Sequence, residues 1–159
     1  MKTTQEILLV YATDDDQPIE GLAQGWVTNF HKFLQNLLSQ LQREESIVSL
    51  VSASALTSEQ VDHASMLIAV ITPKLAADQK AIELMSSWIS HQVKGGTLLD
   101  DGVSRFMKIR KKDFDVDAVF PTVNNVVSYD LFFYDGLSGK TSEYTRFFGA
   151  EPERGFWMK

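Results

Sequence analysis

Three consecutive acids, Asp14-Asp15-Asp16, stand directly behind the apolar run Ile7–Ala12. Carboxylates grouped at a strand end are the residue type that could hold Mg²⁺, and they serve equally well as caps at a helix start. A lone glutamate, Glu83, lies in a helical stretch with Ser86, Ser87 and Ser90 on nearby surface. Its angular position, well away from Ile82, Met85 and Ile89, is that of a solvated helix residue. His31, His63 and His91 are too far apart in sequence to form a helical metal pair, and no cysteine can complete a set. The absence of cysteine also removes disulfides and thiolate nucleophiles. No Gly-x-Ser-x-Gly elbow and no glycine-rich phosphate loop occurs, so serine hydrolase, metalloenzyme and nucleoside triphosphatase chemistries drop out. No metal site is expected.

The elements that must position these residues alternate in type. Ile7–Tyr11 is a continuous apolar run with β-branched and aromatic members, and Ile47–Val51, Met66–Ile71, Phe106–Ile109 and Tyr129–Tyr134 repeat it with decreasing clarity. Runs without polar alternation predict strands covered on both faces, as in a parallel sheet. Between them, Trp26, Phe30, Phe33, Leu34, Leu37, Leu38 and Leu41 form one helical stripe. Thr57 with Gln60 predicts a capping box for a short helix carrying Val61 and Ala64. Thr72-Pro73 places a cap before a proline, ahead of a helix from about Ala76 to Val93 whose buried face is Ile82, Met85, Trp88, Ile89 and Val93. Lys94–Asp101 reads as a loop, and Lys111–Val126 as loop or broken helix.

This order predicts an α/β, flavodoxin-like, doubly wound five-stranded parallel sheet of strand order 2-1-3-4-5 with helices on both faces. Such sheets bind ligands at the carboxyl ends of their strands, where strand order reverses. That crevice lies between the first and third strands, and its expected substrate-binding residues are Tyr11, Ala12, Thr13, Asp14 and Thr72, flanked by Ser52 and Ser54. A receiver-type phosphorylation site needs an aspartate ending the third strand and a lysine ending the fifth. Here the third ends Val70-Ile71-Thr72-Pro73 and Tyr129–Tyr134 has no lysine, so that reading fails.

With 159 residues, 44% hydrophobic and 23% charged, the chain has the size and composition of one globular domain. Its net charge of −6 argues against a protein that tracks nucleic-acid phosphates. The longest apolar runs are far shorter than the roughly 20 residues of a spanning helix. Met1-Lys2 before Ile7–Ala12 resembles a signal peptide only faintly, because Asp14-Asp15-Asp16 follows where small residues should prepare a cleavage site. A cytoplasmic location and no membrane partner are expected. The tail 151–159 retains Phe156 and Trp157, as the beginning of a linker or of a further packed element would.

Several fragments, in order, resemble a known family. Ile7-Leu8-Leu9-Val10-Tyr11-Ala12-x-Asp14 is similar to the opening strand and loop of bacterial Toll/interleukin-1 receptor (TIR) domains. Gly25-Trp26-Val27-x-x-Phe30-His31-x-x-Leu34 resembles the first helix of one bacterial subgroup. Ala64–Lys74 is similar to the third strand, which leads into the helix carrying the family's glutamate. Arg105–Ile109, Pro121 and Tyr129–Phe133 resemble the last two strands. The resemblance covers residues 5–147 and implies a TIR domain over 1–150.

Many bacterial TIR domains cleave NAD+ at the nicotinamide–ribose bond with one helix glutamate, and the resemblance puts that residue at Glu83, with a one-residue gap. NAD+ is then substrate, and no cofactor is implied. One carboxylate can suffice, because nicotinamide leaves a cationic pyridinium as a neutral molecule and needs no general acid. The transition state is oxocarbenium-like, so a nearby carboxylate stabilises it and orients the ribose hydroxyls. The resemblance further implies an antiphage-type defence effector that self-associates into oligomers or filaments beside a C-terminal sensor domain absent from this chain.

Relatives carry a Trp-Cys pair where Gln79-Lys80 stand, and the loop Ser52-Ala53-Ser54-Ala55-Leu56 lacks the family's acidic and glycine residues. A catalytically degenerate TIR module that only mediates assembly is therefore the alternative. A third idea, a nucleotide binder stacking a ring on Tyr129, Phe132, Phe133, Tyr134 or Tyr144, competes with plain packing of those aromatics.

Overall fold

Ile7, Leu8, Leu9 and Val10 bring apolar side chains to both faces of one strand, so both faces need cover. In the computed structural model β1 (Gln5–Tyr11) lies inside a five-stranded sheet, flanked by β2 (Ser46–Ser52) and β3 (Met66–Ile71). The structure describes residues 5–18, 23–41, 46–95, 99–100, 103–111, 119, 128–130, 132–135 and 140–143. All pairings in the sheet are parallel, with β6 (Phe106–Arg110) on β3 and β7 (Ser128–Asp130) on β6. Counting these five strands alone, the order is 2-1-3-4-5, the α/β flavodoxin-like arrangement.

Each face has its own core. Leu8, Val10, Leu67, Ala69 and Phe106 pack with Val61 of α2 (Ser58–His63) and with Ala81, Met85 and Ile89 of α4 (Gln79–Lys94). Ile7, Leu9, Ile68, Val70 and Ile109 pack on the opposite face with Trp26, Val27, Phe30 and Phe33 of α1 (Trp26–Leu41). The alternation of neighbouring residues between two cores is the period-2 geometry of a strand. Leu41 and Val93, read as members of the buried stripes, are exposed. Each stands in the last turn of its helix, past the residues that pack on the sheet.

The expected caps are present. Thr57 and Gln60 form a reciprocal capping box on α2, and the Thr72 side chain accepts from Leu75 N at the start of α3 (Pro73–Ala76). Asp78 leaves helical geometry and its carboxylate accepts from Ala81 N at 3.1 Å, which separates α3 from α4.

Two stretches differ from their sequence reading. Within Lys94–Asp101, read as a loop, β4 (Leu99–Asp100) pairs antiparallel with β5 (Val103–Ser104), and the Asp-Gly at 101–102 is the residue pair that favours such a hairpin. Tyr129–Tyr134, read as one strand, divides: β7 ends at Asp130, and β8 (Phe132–Asp135) pairs with β9 (Lys140–Glu143) in a separate ribbon. The tail 151–159 and nearly all of Lys111–Val126 lie outside the described residues. Among the described residues, no helix is long and apolar enough to cross a membrane.

Gly25 shows how a missing side chain sets the start of α1. Its carbonyl accepts from Asn29 N at 3.1 Å, which makes it the N-cap, yet it has no side chain to cap with. Asp16 substitutes from a distance. Its carboxylate accepts from Thr28 N at 2.8 Å and from Thr28 Oγ1 at 2.5 Å. A Cβ on Gly25 would collide with the backbone carbonyl of Asp16, which cannot swing aside. Gly25→Ala is therefore expected to lower the unfolding free energy by about 2 kcal/mol, read as a lower denaturant midpoint at unchanged slope.

Candidate functional site

The carboxyl ends of β1 and β3 meet where strand order reverses, and the chain leaves β1 there in a 3₁₀ turn, Thr13–Asp16. In such a turn successive side chains diverge by about 120°, so three adjacent acids cannot share one environment. They take three. Asp14 is exposed and meets Lys74 Nζ at 3.3 Å, with both side chains largely in solvent. Asp15 is 5% exposed, and its carboxylate accepts the hydroxyl of Thr72, itself 1% exposed. Asp16 caps α1. Among the described residues, no group of three or more His, Cys, Asp or Glu could hold a metal ion.

Asp15 is also held through its backbone. Lys111, buried just beyond β6, donates from Nζ to the Asp15 carbonyl at 3.0 Å and lies 5.6 Å from the centroid of the Trp26 ring. Trp26 in turn stacks on Phe30. The ends of β1, β3 and β6 are thus fastened by one set of contacts, Thr72 to Asp15 and Lys111 to Asp15. A buried polar group with its partner in place rigidifies such a junction.

The expected substrate-binding residues divide by face. Ala12 is buried in the α4-side core and Tyr11 packs partly against the α1-side core. Burial, and then the nearby Asp16 carboxylate, raise the Tyr11 phenol above its usual pKa, so it stays an O–H donor at neutral pH. Thr13 and Asp14 are exposed on the turn. Thr72 is buried at the end of β3, where its hydroxyl donates to Asp15 and accepts from Leu75 N. Ser52 and exposed Ser54 stand 3.3 Å apart, Oγ to Oγ, at the end of β2.

Glu83 lies in the second turn of α4, exposed, with Gln79 Nε2 donating to its Oε1 at 3.1 Å. The i,i+4 spacing of the two residues makes this contact possible. Helix α4 packs on α3, which starts at the end of β3, and on the 3₁₀ turn Ala53–Ala55 at the end of β2. Its first turns therefore sit at the rim formed by the carboxyl ends of the strands, on the same side as Ser54. Tyr11 belongs to the opposite face. The structure thus sets α4, the helix that carries Glu83, against the turn after Ser52 and against α3, which Thr72 caps, and leaves Tyr11 on the α1 side.

The sequence points to Asp14 at this turn, whereas the acid that the structure buries is Asp15. Lys111, 96 residues away, had no signal at all. Comparison with protein-family models, with curated proteins and with solved structures finds no match to this chain.

Proposed function

We propose that the chain is an NAD+ glycohydrolase of the TIR type, with Glu83 as its catalytic carboxylate and with activity that rises on self-assembly. The observation that carries this reading is an exposed glutamate, contacted by a side-chain amide, on α4, the helix that follows α3 from the carboxyl end of β3 in a flavodoxin-like sheet. An anion there can face an oxocarbenium-like ribose while nicotinamide departs neutral, with no acid and no metal needed for that step. The fragments quoted from Ile7 to Phe133 support the family.

The second reading is an assembly module without chemistry. Gln79 favours it, because an exposed amide stands where relatives have an aromatic that could stack a ring. Nicotinamide release by the purified chain, at high concentration with and without crowding, separates the two. Turnover that rises with assembly supports the enzyme; assembly seen by light scattering without turnover supports the module.

Gln79 has a role of its own on the enzymatic reading. Gln79→Glu replaces the donor with a like charge one turn from Glu83, whereas Gln79→Ala only deletes it. Activity is expected to fall about threefold in the alanine variant and about tenfold in the glutamate variant, in kcat and not in KM. Thermal stability, carried by the other face of α4, should change little.

A further inference from the structure

The segment Ser46-Ile47-Val48-Ser49-Leu50-Val51-Ser52 carries no charge, no proline and no glycine, and it is rich in β-branched and other apolar residues. Such a segment at a sheet edge is a template for pairing with another chain. It is at the edge: β2 ends the strand order, with β1 on one side only. The usual protections of an edge, lysine, proline or a very short strand, are missing from it. The opposite edge, β7, differs in carrying Asp130, which Arg110 holds at 2.6 Å through two nitrogens.

Helix α1 supplies what β2 lacks. The Gln35 side-chain amide accepts from Val48 N at 2.9 Å and donates to Ser46 O at 3.0 Å. A residue of a parallel neighbouring strand, placed opposite Ile47, would bond the same two groups in the same sense. Gln35 thus occupies the edge as one peptide unit of a missing strand would. One helical turn earlier, His31 Nε2 lies 2.6 Å from Val48 O, where a ring N–H donates to that carbonyl. Three outward-facing backbone groups of β2 are so engaged.

We infer that His31 and Gln35 form an edge guard that keeps β2 from pairing with β2 of a second copy. The second copy is the fitting occupant because the edge is self-complementary: a two-fold axis brings two identical uncharged strands together antiparallel with no like-charge contact. Ile47, 46% exposed, would then be covered by its counterpart. The guard concerns strand pairing alone and holds whether or not the chain cleaves NAD+.

The test compares the whole chain with Gln35→Met, which keeps the length of the side chain and loses the amide, and with His31→Ala/Gln35→Met. Folding is checked by circular dichroism, self-association by sedimentation across a concentration series, and pairing by hydrogen exchange of the Val48 amide. Removing the guard is expected to tighten self-association at least about tenfold, because freed backbone groups gain partners in a second copy. Adding Ile47→Lys, a charge on the exposed face of the edge, should restore wild-type behaviour. The inference is overturned if folded Gln35→Met associates no more tightly than wild type, or if Ile47→Lys leaves the added association in place.

Discussion

On the proposed NAD+ glycohydrolase reading, Glu83→Ala is expected to lower NAD+ cleavage by about 10²–10³-fold, the usual effect of removing one group aimed at transition-state charge. The fold should survive, because Glu83 is exposed and its contact in the structure is with the equally exposed Gln79. Exposed positions of this kind rarely move stability by more than about 0.5 kcal/mol. Glu83→Gln sharpens the test. The amide matches the carboxylate in shape and can still bond a ribose hydroxyl, but it cannot face a developing cation as an anion. If charge does the work, the glutamine variant is as inactive as alanine; near-wild-type turnover in Glu83→Gln would rule out the electrostatic role. The measurement is free nicotinamide against time at matched assembly, with light scattering on the same samples.

Asp15→Ala is expected to be the most damaging single change among the three adjacent acids, at about 3 kcal/mol of stability. The carboxylate is buried and receives the Thr72 hydroxyl, which also caps α3. Deleting it leaves that hydroxyl without its acceptor and opens a void where β1 meets β3. For a domain of this size the loss corresponds to roughly 10 °C in melting temperature. Asp16→Ala, which removes the remote cap on α1, should cost about 1 kcal/mol. Asp14→Ala, which breaks an exposed ion pair, should cost less than about 1 kcal/mol. Thermal melts of the three variants side by side check the order. A larger loss at Asp14 than at Asp15 would contradict the burial seen here.

The sheet was legible because its signals are local and repeated. Ile7–Val10 and Met66–Ile71 are apolar on both faces, and the stripe from Trp26 to Leu38 has helical period. Right-handed crossovers then leave few orders for five parallel strands. The caps at Thr57 and Thr72 were legible for the same reason, since a cap and its amide lie three residues apart. The strand break after Asp130 was not, because the sequence runs on past that single acid as Leu131-Phe132-Phe133-Tyr134, with no glycine or proline to mark a break.

The same division runs through the candidate site. The sequence by itself put the reversal of strand order between the first and third strands, set Glu83 on the outer face of its helix, and excluded thiol chemistry and disulfides. Only the tertiary structure decided which of three identical acids is buried, that Lys111 reaches back to Asp15, and that Gln35 and His31 close the edge of β2. Composition cannot distinguish Asp14 from Asp15, since a rotation of about 120° about a short turn separates solvent from core. Contacts across 96 residues of chain, or between a helix and the strand that follows it, leave no spacing rule behind. They exist because packing two cores against one sheet brings those groups within hydrogen-bond reach, and a buried polar group must then find its partner.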